Sequence, residues 1–268
     1  MDVDMPLVLS WAVLITGGIW AIDAWLLKPR RLSAAEALTA SGSSETAVSE
    51  VTREPVLVEY ARSFFPVLLL VLVLRSFLAE PYQIPSESMV PTLEVGDFVL
   101  VNKYAYGVRL PVIGTKIFDV DRPRRGDIMV FIPPHDPRYF IKRVIGVPGD
   151  VIRYENKALY INGERAEYEF NAQFEERTPF GYIPIREYTE TFDGRPHQIY
   201  RYQISEQPEE WTVPEDSYFM MGDNRGKSDD SRRWGFAHES EIVGKAVAIW
   251  VHKDPGFNLP TFSRNRWF

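Results

Sequence analysis

An apolar run near the start of the chain limits the folds open to this sequence more than any other feature. Residues 6–27 carry a single charge, Asp23, close to the end of the run. At about 1.5 Å per helical residue, the run is long enough to cross the roughly 30 Å hydrocarbon core of a bilayer. Such a segment is either a membrane anchor or a leader that is removed after export.

The charges on either side of this run favour the anchor. A cleavable signal peptide has basic residues before its apolar core, whereas Asp2 and Asp4 precede this run and the basic segment 28–31 follows it. Basic residues stay on the cytoplasmic side of a membrane. We therefore predict a first transmembrane helix within residues 1–31, with its N-terminus outside and its basic flank inside.

A second apolar run lies at residues 64–74. Alone it is short enough to be a buried helix, but residues 61–79 reach spanning length if Arg62 and Arg75 extend toward the two interfaces. Residues 32–60 are rich in Ser, Ala, Thr and Glu and lack a sustained apolar face, which predicts a mobile cytoplasmic linker. Two spans would place the chain from about residue 80 onward outside the cytoplasm.

Short apolar runs separated by Gly, Pro and Asp follow, and their spacing predicts an antiparallel, sheet-rich fold. The runs are residues 98–104, 128–132, 139–147, 151–154, 158–161, 198–204, 218–221 and 242–251. A more polar and irregular stretch lies between Asp150 and Trp211. The fold class predicted for the outer part is therefore mainly β.

The composition argues against several kinds of reactive and binding site. The chain has no cysteine, which excludes a disulfide-stapled fold, a thiol nucleophile and a cysteine-ligated zinc site. Its four histidines have no metal-ligand spacing such as HExxH, so we expect no metal site. The net charge of -7 argues against a nucleic-acid partner, because phosphate binding needs a clustered basic face.

Two serines next to the second apolar run are candidates for a nucleophile. Ser86 and Ser88 lie between Pro85 and Pro91, which stiffen the backbone on both sides. A serine hydroxyl reacts poorly unless a base removes its proton. No histidine has an obvious triad spacing to an acid, so we looked for a different base.

Lys142 is the better candidate for that base. Strand alternation over residues 139–147 places Phe140, Lys142 and Val144 on one apolar face. Burial on such a face disfavours the charged ammonium and lowers the lysine pKa. The sequence therefore predicts a neutral amine that can act as a general base.

Five sequence blocks occur in a fixed order behind the apolar segment. They are QIPSESMVPTL at 83–93, GDFVLV at 96–101, RGDI at 125–128, IKRVIGVPGD at 141–150, and GDNR at 222–225 running on to SDDSR at 228–232. In these blocks the chain resembles the bacterial type I signal peptidases, which are Ser/Lys endopeptidases of the inner membrane. The resemblance extends from about residue 62 to about residue 251.

The resemblance implies an architecture and a function. It implies a catalytic β domain made of residues 80–154 and 214–268, with a smaller inserted domain at 155–213 and two N-terminal transmembrane helices as an anchor. It implies an enzyme of the bacterial inner membrane, with its catalytic domain on the periplasmic side, that removes signal peptides from exported preproteins. The expected partners are those signal peptides and the lipid bilayer, with no cofactor; proximity to the protein export channel is a further expectation.

The resemblance also assigns roles to individual residues. Ser88 would be the nucleophile and Lys142 the general base, while the Ser86 hydroxyl and the Ser88 backbone N–H would bind the oxyanion. Ser228 would orient the Lys142 amine, although Ser86 or Ser228 could instead cap a backbone group. The charged residues expected to support the site from behind are Asp223, Asp230, Arg143 and Arg232. Glu87, where relatives often have glycine, should point away from both neighbouring serines.

Apolar residues next to these groups match positions that line shallow substrate pockets in the family. They are Ile84, Pro85, Met89, Leu93, Val99, Val130, Phe140 and Ile141. Such pockets would accept small side chains at the first and third residues before the cut and exclude larger ones. The alternative is that they are ordinary core residues, above all Leu93 and Val130.

Two other functions fit parts of this pattern. A Ser/Lys self-cleaving repressor-type protein uses related serine chemistry, but two membrane spans argue against it. A membrane-anchored, catalytically inactive protein could bind signal peptides without cutting them. The presence of all four polar groups, Ser86, Ser88, Lys142 and Ser228, argues against that alternative.

Overall fold

The computed structural model describes residues 5–42, 44–77, 80–109, 116–179, 181–203 and 207–268. The chain divides into two compact units, Met1–Leu78 with Arg109–Thr115, and Ala79–Val108 with Lys116–Phe268. The first unit contains the long helices, and the second contains the large sheets. The predicted fold class, mainly antiparallel β with two N-terminal apolar helices, is confirmed.

The first apolar run forms one long helical segment. Helix α1 (Met5–Ile22) passes through a π-helical turn, Asp23–Leu27, into α2 (Lys28–Ala40). The turn adjoins Pro29, which has no N–H to donate one turn back, so the α-helical bonding is interrupted there. Both carboxylate oxygens of Asp23 accept bonds from Arg31, at 2.7 and 2.9 Å, so the acid in the apolar run is paired.

The predicted linker at 32–60 is largely helical. Helix α2 continues to Ala40, and α3 (Glu45–Thr52) begins after Ser44, whose hydroxyl accepts a bond from the backbone N–H of Ala47. Alanine and glutamate are good helix formers, and serine is a favourable N-cap. The composition that suggested a linker therefore also suits short helices.

Helix α4 (Val56–Phe77) packs against α1. The ring of Phe65 lies so close to Gly17 that a Cβ there would come within 2.7 Å of it. The segments Leu7–Ala40 and Val56–Val73 contain 18-residue stretches with mean hydropathies of 1.7 and 2.0, and both segments are long and apolar enough to cross a membrane. Helix α4 begins before the predicted span of 61–79, whose last two residues lie outside the described residues.

Each of the eight predicted runs contains a strand, although residue 204 at the end of one run lies outside the described residues. The strands assigned in the described ranges are β1 (Glu80–Gln83), β2 (Asp97–Asn102), β3 (Val108–Arg109), β4 (Lys116–Phe118), β5 (Ile128–Phe131), β6 (Phe140–Gly146), β7 (Val151–Glu155), β8 (Ala158–Ile161), β9 (Glu164–Arg165), β10 (Glu167–Thr178), β11 (Gly181–Phe192), β12 (Arg195–Tyr202), β13 (Glu209–Thr212), β14 (Ser217–Met221), β15 (Ala237–His238), β16 (Ile242–His252) and β17 (Arg266–Trp267). A short helix, α5 (Ser231–Trp234), follows β14. The hairpin of β10 and β11 was not among the predicted strands.

Eight of these strands form a curled antiparallel sheet. Their order is β1-β2-β16-β5-β6-β14-β15, and β17 pairs with β16. One apolar cluster, which includes Met89, Leu93 and Val99, lies under the segment between β1 and β2. A second cluster, which includes Phe131 and Tyr218, packs between β5 and β14. The segment that carries the two serines therefore rests on a closed core.

Strands β7 to β13 form two further sheets, in the orders β13-β7-β8-β9 and β10-β11-β12. They begin at Val151, so they include most of the predicted insertion and a few residues before it. Ile152 and Leu159 of the four-stranded sheet share an apolar cluster with Phe219 of β14. The strands of the insertion thus share a core with the main sheet, and the division at 155–213 stays a prediction.

Candidate active site

Ser88 lies on a 3-10 turn, Glu87–Met89, between β1 and β2. Met89 is fully buried beneath this turn, and the residue surface of Ser88 is 7% exposed. Backbone bonds close the base of the loop, because Ile84 N donates to Asp97 O at 2.8 Å and Gly96 N donates to Ile84 O at 3.0 Å. The loop therefore holds the Ser88 hydroxyl at the edge of the core.

Strand β6 brings Lys142 to this hydroxyl. The Nζ atom of Lys142 lies 2.7 Å from Ser88 Oγ and 3.1 Å from the carbonyl oxygen of Ile141. Lys142 is 4% exposed, and its Nζ lies 5.3 Å from the ring centroid of Phe140. Two residues that are 54 positions apart in sequence are thus within hydrogen-bonding distance.

Burial lowers the pKa of Lys142 from its ordinary value of 10.5 to about 8, although Asp230, Asp229 and Asp223 act in the opposite direction. Removing an ammonium from water costs free energy, which favours the neutral amine. At a pH near 8, a large fraction of this amine is neutral and has a lone pair. Such an amine can accept the proton of a hydroxyl 2.7 Å away.

Ser86 faces the same space as the nucleophile candidate. Its Oγ lies 3.3 Å from Ser88 Oγ, and its residue surface is exposed. The carboxylate of Glu87 turns away and binds Lys227 Nζ at 2.8 Å, as expected. A polar group on a substrate can therefore approach Ser86 and Ser88 together without meeting the Glu87 charge.

Ser228 does not bind the Lys142 amine in this structure, which differs from the role the resemblance gave it. The Ile141 carbonyl oxygen, offered by the strand backbone itself, is the second partner of Nζ. Within the described residues, the buried Ser228 Oγ forms no hydrogen bond of ordinary geometry, although it lies close enough to Asp230 to help lower the pKa of that carboxyl. An orienting role for Ser228 stays a prediction.

Asp223 and Arg143 form a buried ion pair behind the site. Arg143 Nε donates to Asp223 Oδ1 at 2.8 Å and its Nη2 donates to Oδ2 at 2.7 Å, while Thr92 Oγ1 donates to Oδ2 at 2.5 Å. Burial alone would raise the pKa of Asp223, but Arg143 outweighs it and the pKa is lowered. Because Arg143 follows Lys142 on β6, this pair links the strand that carries Lys142 to the segment after β14.

Asp230 and Arg232 form a second buried pair. Arg232 donates to both carboxylate oxygens of Asp230 at 2.9 Å, and Gly222 N donates to Asp230 Oδ2 at 3.0 Å. A Cβ on Gly222 would come within 2.6 Å of Ser228 Cβ and closer still to the Ser88 carbonyl oxygen. Neither pair has a bond to Ser88 Oγ or Lys142 Nζ among the described contacts, which fits a supporting position.

Sequence reasoning assigned no role to Asn224 or Thr92, although both lie within the motif blocks. Asn224 binds the carbonyl oxygens of Glu87 and Ser88, at 3.0 and 3.1 Å. Thr92 binds Asp223 across 131 residues of sequence. Their presence inside the blocks was the available signal, because no local spacing points to either contact.

The apolar residues predicted to line a substrate pocket separate into two groups. Ile84, Met89, Leu93, Val99 and Val130 are at most 2% exposed and belong to one core cluster. Pro85 is exposed, and Phe140 and Ile141 are partly exposed. A substrate can reach the second group directly, whereas it can reach the first only if the cluster opens. Their assignment to a pocket stays a prediction.

All four histidines have partners away from Ser88. His252 and His197 lie against Asp97 and Glu190, at 2.8 and 3.1 Å. His135 Nε2 lies 3.1 Å from Asp229 Oδ2, and His238 Nδ1 lies 3.4 Å from Ser217 Oγ. Lys142 is therefore the basic side chain that the described structure brings to the serine.

The chain is similar to known proteins along nearly its whole length. The sequence profile of the family described as "Signal peptidase, peptidase S26" matches residues 57–251. The signal peptidase I of Pseudomonas aeruginosa is 46% identical over 284 residues, covering 98% of this chain and 98% of that protein. That of Pseudomonas fluorescens is 47% identical over 285 residues, with the same coverage of 98% for both. A crystal structure of a signal peptidase I from Enterococcus faecalis V583 is 28% identical, covers 47% of this chain and 98% of its own, and gives a TM-score of 0.30.

Proposed function

The chain belongs to the peptidase S26 family of signal peptidases, and from this premise we propose that Ser88 and Lys142 cut signal peptides from exported preproteins. Family membership supports the coarser statement, removal of signal peptides by a serine peptidase. The observation that carries the finer proposal is the 2.7 Å separation of Lys142 Nζ and Ser88 Oγ. The lowered pKa of the amine, about 8, supports its role as the base.

The proposed reaction forms an acyl-enzyme. Neutral Lys142 accepts the Ser88 proton while Oγ attacks the carbonyl carbon of the scissile peptide bond. The Ser86 hydroxyl and the Ser88 backbone N–H donate hydrogen bonds to the negative carbonyl oxygen. The Lys142 ammonium then gives its proton to the leaving amine, which is the new N-terminus of the mature protein.

Hydrolysis of the acyl-enzyme completes the cycle. Lys142 is neutral again after the leaving amine has taken the proton, so it can accept a proton from a water molecule that attacks the ester carbonyl. The ester bond to Ser88 Oγ breaks, the serine regains its proton, and the signal peptide leaves with a new carboxylate. Every proton transfer in this scheme involves Lys142, whose Nζ lies 2.7 Å from Ser88 Oγ.

The proposed cleavage site follows a small residue, with another small residue two positions earlier. Near Ser88 and Lys142 in the chain, Pro85 is exposed and Ile141 partly exposed, whereas Met89 and Leu93 of the same core cluster are 0% exposed. A large side chain placed there would have to displace packed core atoms, whereas alanine, glycine or serine would not. This packing supports selection by exclusion.

We also propose that the enzyme is anchored in the bacterial inner membrane, with its catalytic unit on the periplasmic side and its site close to the lipid and to the export channel. The support is the pair of helices long and apolar enough to span a membrane. The basic segment 28–31 follows the apolar stretch of the first long helical segment and precedes the second helix, where a cytoplasmic flank would carry it.

Cleavage of matched preproteins tests this function. We expect the chain in detergent to process a preprotein with Ala at the last signal-peptide residue and not one with Leu or Phe there. N-terminal sequencing of the product should locate the cut after that alanine. Ser88→Ala and Lys142→Met should each abolish processing.

The opposite results have clear meanings. Equal processing of the Ala and Leu preproteins would contradict the pocket. Retained processing by Ser88→Ala would contradict the nucleophile. Binding of the preprotein by the unaltered chain without any cut would identify a signal-peptide-binding protein instead of an enzyme.

A further inference from the structure

We infer that Asn224 is a positioning residue for the oxyanion site. Its side-chain amide fixes the plane of the Glu87–Ser88 peptide group and thereby the direction of the Ser88 backbone N–H. The inference rests on the proposed function, because that N–H has a catalytic task only if Ser88 is the nucleophile.

The Glu87–Ser88 peptide group is held by a hydrogen bond from Asn224. Asn224 Nδ2 donates to the Glu87 carbonyl oxygen at 3.0 Å. That oxygen and the Ser88 N–H belong to the same planar peptide group, which is trans, so the two point in opposite directions. A bond that holds the oxygen therefore also sets where the N–H points.

A second bond fixes the next peptide group. The backbone N–H of Asn224 donates to the Ser88 carbonyl oxygen at 3.1 Å. One residue thus holds both peptide planes that flank the Ser88 Cα, which leaves little freedom in the two backbone dihedrals of the nucleophile. A hydrogen bond on a carbonyl oxygen also polarises its peptide group and strengthens the N–H at the other end as a donor.

The Asn224 side chain is enclosed by the protein. Asn224 is 2% exposed, and its Oδ1 forms no hydrogen bond of ordinary geometry within the described part of the chain. The amide also lies close enough to Tyr202 to oppose the burial that raises the pKa of that phenol. The Glu87 carbonyl can only accept, so the NH₂ group of the amide must face it. Buried polar atoms without partners are uncommon, and the bond to the serine loop accounts for an asparagine at this place.

The inserted strands hold Asn224 from the opposite side. Tyr200 N donates to Asp223 O at 2.9 Å, and Arg225 N donates to Tyr200 O at 3.0 Å, so β12 binds the residues on both sides of Asn224. Arg225 is also paired with the fully buried Glu190 on β11. The backbone of residues 223–225 is therefore held by β11 and β12, and this support keeps the Asn224 amide in place against the serine loop.

Two substitutions test the inference. Asn224→Asp keeps the shape but replaces the donor by an oxygen that repels the Glu87 carbonyl, and Asn224→Ala removes the amide while the backbone bond to Ser88 remains. We expect kcat to fall about 10²-fold in both, with KM within about twofold, because the oxyanion forms only in the transition state. The pH midpoint of the rate should stay unchanged in Asn224→Ala, since Asn224 has no bond to Lys142 and alanine adds no charge. The added carboxylate of Asn224→Asp should move the midpoint upward, because Asp223 and Asp230 already raise the Lys142 pKa.

The matched control is Asn171→Asp on the exposed strand β10, which should leave kcat and KM at their original values. Rates are expressed per folded molecule, measured by denaturant unfolding, so that partial unfolding of one variant does not imitate the result. Unchanged kcat in both Asn224 variants would overturn the inference. So would a loss expressed in KM, or a shifted pH midpoint in Asn224→Ala, because either indicates a general distortion of the site. Processing by Ser88→Ala would instead reject the proposed function, and this inference with it.

Discussion

At the scale of single residues, the burial of Lys142 has a consequence for stability. Its folded pKa of about 8 lies below the ordinary value of 10.5, which we take for the unfolded chain. Between these values the unfolded chain binds a proton that the folded chain lacks, so stability rises with pH in that window. Below pH 8 the burial of this amine costs its full amount, on the order of 3 kcal/mol from the size of the shift.

Replacing Lys142 by methionine should therefore stabilise the fold while abolishing cleavage. Methionine fills a similar volume and has no charge to remove from water. We expect the free energy of unfolding to exceed that of the original chain by more at pH 6 than at pH 10. Denaturant unfolding at both pH values measures this difference.

A second lysine serves as the control for this prediction. Lys253 is only partly buried, so Lys253→Met should lack the large advantage at pH 6. If the advantage of Lys142→Met were absent, or grew with pH, the amine would be solvated and charged in the folded chain. It could not then be the base.

The proximity of Ser88 and Lys142 was predictable from sequence, whereas most of the contacts around them were not. Strand alternation placed Lys142 on an apolar face, and the family blocks pointed to Ser88. The contacts of Asn224 with the serine loop and of Thr92 with Asp223 join segments more than a hundred residues apart. Such contacts depend on tertiary packing and leave no periodic pattern in the sequence. The same packing gave the Lys142 amine a backbone carbonyl as its second partner instead of Ser228.

At the scale of elements, the β10–β11 hairpin is the clearest feature missing from the predicted strands. The sequence does alternate there, because Ala166, Tyr168, Phe170, Ala172 and Phe174 are apolar and the residues between them are polar, which is the period of a strand. The many charged residues made the stretch look irregular, and most residues of β10 are exposed. In the structure β10 pairs with β11 over eleven register positions and β11 pairs with β12.

The segment after β16 is an element with an unusual surface. Phe257, Leu259 and Trp267 are exposed by 111%, 86% and 77%. Arg264 donates hydrogen bonds of 3.0 and 3.1 Å to Asp97. These bonds tie the segment that carries the three exposed side chains to the main sheet. Exposed aromatic and apolar groups beside arginines are typical of surfaces that rest at lipid headgroups.

We expect this segment to bind membranes. The variant with Phe257→Ser, Leu259→Ser and Trp267→Ser should bind liposomes at least about tenfold more weakly than the parent, because burying each such side chain contributes about 1.5–3 kcal/mol. The measurement is liposome co-sedimentation of residues 80–268, which contain all three apolar clusters.

The control variant changes exposed side chains elsewhere. Phe170, Tyr182 and Ile183 lie on the β10–β11 hairpin and are 56%, 66% and 38% exposed. Their replacement by serine should leave binding unchanged. Equal losses in the two variants, or no loss in the first, would mean that the segment after β16 is an ordinary packed tail.

At the scale of the whole molecule, the sequence predicted many of the elements but not how they are arranged. The two apolar helices follow from run length, and eight strands follow from short apolar runs. The order β1-β2-β16-β5-β6-β14-β15 joins strands far apart in the chain, and pairing at such range is set by the shared core. The insertion illustrates this point: its sequence is polar and irregular, yet β11 and β12 hold the segment that contacts the serine loop.

The central claim is that buried Lys142 acts as a neutral base for Ser88. The most direct measurement is the rate at which a serine-directed acylating probe modifies Ser88, followed by mass spectrometry of the chain in detergent across the pH range. We predict a rate that rises with pH, reaches half its maximum near the Lys142 pKa of about 8, and vanishes in Lys142→Met. A rate independent of pH, or modification of Ser88 at the original rate in Lys142→Met, would contradict the account.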